Sequence, residues 1–231
     1  MNMKARVSPL QHLTLLVIAW MTSTVFAAAQ TPDQLVTQTT EQVVSLAKEA
    51  KSYYEKDPQR LNRQVEMVMN DVVDFDGFAR GVMGIYASEQ RYNTLQSDAE
   101  RTAFKGRITK FTEIFRHGLI ETYAKGLLKF NGQRIETVAG RSMVNGSNAT
   151  VVQNIYGDAD KPYIVQYTLR QDAGGTWKLR NVIIEGVNLG QTYRNQFASA
   201  AEQYRGDLDQ VIANWRVEPE VKPATAQAGS K

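Results

Sequence analysis

The chain has 231 residues, 42% of them hydrophobic and 22% charged, with no cysteine and only two histidines. That balance belongs to a globular chain rather than a disordered one. It excludes a disulfide framework, a thiolate nucleophile, a thiolate zinc site and a histidine-rich metal centre.

At the N-terminus Lys4 and Arg6 precede an apolar run from Leu13 to Trp20, and Val25-Phe26-Ala27-Ala28-Ala29 follows a short polar break. A basic start, a short apolar centre and small residues at the end predict a secretory signal peptide over residues 1–29, cleaved after Ala27 or Ala29. The run falls short of the ~20 residues that span a bilayer, which disfavours the rival reading of a retained anchor. Without residues 1–29 the chain keeps 25 basic and 24 acidic residues and one histidine, His117. A charge of +1 gives no argument for nucleic-acid binding.

Apolar residues recur at helical spacing from Asp33 to Tyr54 (Val36, Val43, Ala47, Ala50), with Thr31-Pro32-Asp33 as the start signal. Asp57-Pro58 breaks this run, and Leu61, Val65, Val68, Met69 and Val72 mark a second helix. A third carries Phe75, Phe78, Val82, Ile85 and Tyr86, with three glycines that blur its ends. After a polar link from Ser88 to Gln96 comes the longest periodic stretch, Ser97 to Phe130. Phe104, Ile108, Phe111, Phe115, Leu119 and Thr122 share one face, and Ile114, Tyr123 and Leu127 widen it. Gly118 and Gly126 are candidate points for a bend or split.

The character changes at Asn131-Gly132. Gln133–Ala139, Asn148–Tyr156, Tyr163–Arg170 and Thr176–Ile184 read as strands, and Asn145-Gly146 as a hairpin turn with Ser142–Val144 as its first arm. Links at Asp158–Pro162 and Ala173-Gly174-Gly175 are short enough to demand an antiparallel meander. In the last strand, strict alternation puts Trp177, Leu179 and Ile183 on one side and Val182 and Ile184 on the other. Helical spacing returns over Leu189–Tyr204 and Leu208–Trp215, and residues 218–231 read as a disordered tail. The prediction is an α+β domain over residues 30–217, with helices on one face of a curved antiparallel meander sheet.

Catalytic motifs are missing. His117 has no recognisable nucleophile or orienting partner, and there is no G-x-S-x-G, H-E-x-x-H or P-loop. Asp71, Asp74 and Asp76 sit at a helix junction, where acids cap N-termini. Apolar side chains are abundant, but periodicity cannot say whether the interior is filled or partly open for an apolar ligand.

One stretch bears on that choice. Trp177-Lys178-Leu179-Arg180-Asn181-Val182-Ile183-Ile184-Glu185-Gly186-Val187-Asn188-Leu189, running into Tyr193-Arg194-Asn195-Gln196-Phe197, resembles the end of the MlaC-type (toluene-tolerance Ttg2 auxiliary) family. The family pattern there is W-K-V-x-D-V-x-I-E-G-V-S-L-x-x-x-Y-R-x-Q-F, and this chain departs mainly at Asn181, for the acid, and Asn188, for the serine. Phe75-Asp76-Gly77-Phe78-Ala79-Arg80-Gly81-Val82-Met83-Gly84-Ile85-Tyr86 is similar, less closely, to the family's F-D-x-x-x-x-A-x-x-V-L-G-x-Y helix. Phe111-x-x-x-Phe115, Thr122-Tyr123-Ala124 and Phe130-Asn131-Gly132-Gln133 resemble its long-helix-to-first-strand segment.

The resemblance implies an NTF2-like arrangement enclosing an apolar pocket, and a monomeric periplasmic carrier without enzymatic turnover or a cofactor. Its cargo would be phospholipid, moved between an inner-membrane ABC-type transporter complex and an outer-membrane lipoprotein–porin complex to maintain outer-membrane lipid asymmetry. The alternatives are a small exported enzyme or a structural adaptor on a similar fold. Two sixteen-carbon tails exposed to water cost ~25 kcal/mol at ~0.8 kcal/mol per CH₂, so a carrier must cover them almost wholly. The expected lining is Val68, Phe78, Val82, Phe111, Phe115, Leu119, Tyr123, Val165, Tyr167, Val182, Ile184 and Tyr193, with Arg80 and Arg194 at the mouth.

Overall fold

A computed structural model describes residues 30–130, 134–157 and 161–218. The expected signal peptide, the Asn131-Gly132 step, Asp158–Asp160 and the tail beyond Glu218 lie outside the described residues.

Among the described residues seven α-helices and six strands follow one another, in the expected class and order apart from the unforeseen α4 and β6: α1 (Pro32–Tyr53), α2 (Pro58–Val72), α3 (Phe75–Met83), α4 (Glu89–Asn93), α5 (Asp98–Leu127), β1 (Arg134–Thr137), β2 (Met143–Asn145), β3 (Asn148–Tyr156), β4 (Tyr163–Gln171), β5 (Trp177–Ile184), β6 (Val187–Asn188), α6 (Leu189–Gln203) and α7 (Leu208–Asn214). Local chemistry sets the starts. Thr31 and Ser97 form capping boxes with Gln34 and Glu100, and Asp57, Asp74, Ser88, Asn188 and Asp207 accept from first-turn amides. The link at Ser88–Gln96 is partly helical, because Ser88 caps the short α4 after a 3₁₀ turn at Gly84–Ala87.

α5 runs unbroken for 30 residues, so neither Gly118 nor Gly126 splits it. Gly118 serves a different end: a side chain there would collide with Val217, whose carbonyl accepts from Thr122 Oγ1 at 3.3 Å. The segment after α7 thereby lies flat on α5.

The sheet is open and antiparallel in the order β1-β3-β4-β5-β6, with β2 also pairing β3. β1 covers Gln153–Tyr156 and β2 covers Asn148–Thr150 of the same strand, so together they form one interrupted edge. The other edge is closed by β6 at one end of β5 and by Val73 opposite Leu179 at the other. A two-residue turn at Glu185-Gly186, both at positive φ (50° and 81°), joins β5 to β6.

One expectation about facing is corrected. The register between β4 and β5 shifts at Thr168/Leu169: Thr168 pairs Asn181, but Leu169 pairs Leu179. Arg180 is the extra residue of a bulge. Because the bulge inverts the alternation, Trp177, Leu179, Val182 and Ile184 all share a face with Val165, Tyr167 and Leu169, while Ile183 faces away. That face carries the helices. The opposite face presents Thr150, Gln166, Thr168 and Arg170, none of them fully buried, around the buried Val152.

Candidate functional site

The helix-facing side of the sheet is apolar across three strands. Tyr167 lies opposite Val151 on one side and Val182 on the other, and Val165 lies opposite Gln153 and Ile184. Gln153 is the polar exception, and it is satisfied: its amide donates to Thr137 Oγ1 at 3.1 Å and its carbonyl oxygen accepts from Thr40 at 3.1 Å. These bonds hold α1 against β1 and β3.

Above this face the buried side chains fall into two groups. The larger joins α2, α3, α5, α6 and α7, and the smaller holds Leu35, Val36, Ala149, Val151, Leu169 and Trp177 beneath the start of α1. Apolar side chains that are only partly covered pack against them, among them Val72 and Tyr167 on the smaller group and Tyr123, Leu127, Leu179, Val182 and Ile184 on the larger. Tyr167 is the informative member. It is only partly covered, in the middle of the sheet, and burial pushes its phenol up to about 12. This partly covered apolar face of β4 and β5, with the neighbouring side chains of α2 and α5, is the candidate site.

The expected lining residues divide accordingly. Phe111 and Phe115 are 0% exposed and stack at 5.6 Å; Phe78 meets Phe115 edge-on at 5.2 Å, and Phe197 and Trp215 close on Phe111 at 4.9 and 5.3 Å. Val82 and Leu119 are buried in the same helical core. These side chains form the sealed helical core. Tyr123, Tyr167, Val182 and Ile184 retain accessibility, Val165 is buried in the sheet, and Val68 is partly covered on α2 without joining either group. Tyr193 is buried against Phe115 at 5.4 Å, with its hydroxyl 3.0 Å from that of Tyr123. Burial raises the Tyr123 phenol, and this bond opposes the rise. Val72, Leu127 and Leu179 were not anticipated; only the last depends on the bulge.

The cations have other surroundings. Arg194 Nε donates to the Gly81 carbonyl at 2.7 Å, fastening α6 to the end of α3, and Arg80 is exposed on α3. Arg180, from the bulge, pairs with Asp74. His117 is exposed, 3.9 Å from Glu113. A separate crevice of about 390 Å³ lies among Met83, Tyr86, Leu95, Phe104, Arg107 and Leu208. It sits against the N-terminal half of α5, roughly 20 Å along the helix from Leu119 at 1.5 Å per residue. No helix among the described residues is long and apolar enough to cross a membrane.

With this geometry in place, the chain can be set beside known proteins. It is 34% identical over 188 residues to the toluene tolerance protein ttg2D of Pseudomonas putida, covering 81% of each chain. Its fold is similar to that of a phospholipid-binding protein from Ralstonia solanacearum solved in complex with a phospholipid, with a TM-score of 0.58 and 20% identity over 80% of this chain and 98% of that one. The family model described as MlaC protein matches residues 37–217, and the chain belongs to the MlaC family.

Proposed function

We propose that this chain is a periplasmic phospholipid carrier, exported by residues 1–29, with residues 30–217 as a single carrier domain. The observation that carries the reading is the partly covered apolar wall of Tyr167, Val182, Ile184 and Tyr123 at the edges of two separate groups of buried side chains. In this reading the wall lines a cleft between sheet and helices, and burying acyl chains there supplies the ~0.8 kcal/mol per CH₂ that drives loading. The phospholipid named for the Ralstonia solanacearum relative supports the same cargo. The work is differential burial, so it needs no nucleophile, resident metal or proton donor. Cargo passes as a monomeric complex between an outer-membrane lipoprotein–porin complex and an inner-membrane ABC-type transporter. Native mass spectrometry of the purified protein with lipid extraction tests the reading. Stoichiometric phospholipid, released on unfolding, is the expected result. A lipid-free protein that takes up none from vesicles would sink it and leave the adaptor reading; hydrolysed lipid would favour an enzyme.

A further inference from the structure

The wall of the cleft carries one group that acyl chains cannot satisfy. Tyr167 stands in the middle of β4 between Val151 and Val182. It packs against the apolar group of Leu35, Val36, Leu169 and Trp177, and the amide of its diagonal neighbour Gln153 is already bonded to Thr137 and Thr40. Among the described residues nothing bonds its hydroxyl, and the oxygen is not among the unpartnered polar atoms closed off from solvent. By contrast, the Tyr123 and Tyr193 hydroxyls satisfy each other at 3.0 Å. Resting on the carrier reading above, we propose that the Tyr167 hydroxyl is a release determinant, which weakens the hold of the cleft on phospholipid tails so that cargo can be surrendered.

The reasoning is a comparison of two states. With the cleft open to water, the hydroxyl has hydrogen-bond partners. With tails packed against it, it faces CH₂ groups, which accept nothing, and a buried unsatisfied hydroxyl is costly. Loading therefore loses part of what tail burial gains. Position 167 is where that loss falls in full, because its cross-strand neighbours Val151 and Val182 offer no acceptor. A phenylalanine would fill the same volume and make the stronger binder. Tyrosine makes a carrier that lets go, and two long tails buried without any opposing contribution would be retained too firmly to pass on.

The test compares the wild-type protein with Tyr167→Phe, using vesicles of phosphatidylethanolamine with a trace of radiolabelled dipalmitoyl phosphatidylglycerol. Loading affinity and release to unlabelled acceptor vesicles are both measured. The variant should bind about tenfold more tightly, the factor for one unsatisfied hydroxyl, and release correspondingly more slowly, with a melting temperature no lower than wild type. Val182→Thr, which adds a hydroxyl at the paired position, should shift both in the opposite direction. Unchanged affinity in Tyr167→Phe would overturn the inference by placing the hydroxyl outside the tail path. Weakened affinity would overturn it too, by showing that the phenol donates to an acceptor on the lipid. In both of those cases the carrier reading survives. Failure of both proteins to load removes the carrier reading, and this inference with it.

Discussion

The guanidinium of Arg180 lies across the first turn of α3, in the space that any side chain at position 77 would need, and Gly77 is what lets it reach Asp74. The bulge at Arg180 and the glycine in the helix are two halves of one fastening between sheet and helix. Gly81, one turn on, has nothing within 4 Å of an added Cβ. Gly81→Ala should stabilise the protein by about 1 kcal/mol, the helix propensity difference. Gly77→Ala gains the same propensity but displaces the guanidinium, and should fall at least 1 kcal/mol short of Gly81→Ala in urea unfolding. In an Arg180→Ala background that shortfall should vanish; its persistence would show that Arg180 is not the obstacle.

Three aspartates share the junction of α2 and α3, but among the described residues only one carboxylate is tied into it. Asp74 accepts from the Gly77 amide at 2.7 Å and pairs with Arg180, whereas Asp71 and Asp76 are exposed. Asp74→Ala should cost about 2 kcal/mol, through the lost cap and the half-buried guanidinium left without its partner. Alanine at 71 or 76 should change stability by less than about 0.5 kcal/mol. His117→Gln, at a side chain 64% exposed, should leave both stability and lipid occupancy unchanged. Loss of occupancy in that variant, with the fold intact, would contradict a mechanism that needs no proton transfer.

The helices and the meander were legible because their periodicities are long and their caps and turns are chemically explicit. Facing in β5 was not. A one-residue bulge carries no mark in the run Trp177–Ile184, and it moves Ile183 off the face that alternation assigns it. The second arm of the interrupted edge was readable from Asn145-Gly146, but the two-residue β6 hides in the Glu185-Gly186 turn. The candidate site was half legible. Helical spacing identifies Phe111 and Phe115 as inward, and inward residues include both those that line an opening and those that close behind it. Only packing distinguishes the sealed Phe111 from the reachable Tyr123.

Val182 offers a direct test of the wall. Val182→Glu puts a carboxylate against Tyr167, in apolar surroundings that raise its pKa above the usual ~4.3. At pH 8 the charged form should exclude tails, and co-purified phospholipid should drop severalfold. Near pH 5 the neutral form becomes populated and loading should recover, whereas wild-type loading should not follow this pattern. Wild-type occupancy at both pH values in a folded variant would mean that position 182 faces away from the cargo.

Alkaline unfolding reports on Tyr167 independently of lipid. Its phenol sits at about 12 in the folded protein, against ~10 when unfolded. The folded state therefore holds the proton longer, and stability is lost as pH rises through the unfolded pKa toward the folded one. From pH 9 to pH 11 this group should remove on the order of 1.3 kcal/mol. Tyr167→Phe should show a smaller decline by that amount in urea titrations. Identical declines would mean that the water reaching this hydroxyl solvates the phenolate as well as bulk water does.

The two departures from the family pattern meet in space. Asn181 Nδ2 donates to Asn188 Oδ1 at 2.9 Å, Asn188 Oδ1 also accepts from the Gln191 amide at 3.0 Å as the cap of α6, and Asn181 Oδ1 accepts from the Gly190 amide at 2.9 Å. The family's acid and serine fit the same geometry with the donor reversed: a serine hydroxyl can cap the helix and donate to a carboxylate at position 181. The shared hydrogen bonds therefore couple the two positions. Asn181→Asp alone places two acceptors face to face and should cost about 1–2 kcal/mol. Asn188→Ser alone keeps the cap and should cost about 0.5–1 kcal/mol, with the hydroxyl turned to the Asn181 amide oxygen or the amide left with one acceptor fewer. The double variant should return to within about 0.5 kcal/mol of wild type. A double-mutant cycle measured by urea unfolding decides it: a coupling energy of about 1 kcal/mol or more is expected, and additive losses would mean that the two asparagines hold the start of α6 independently.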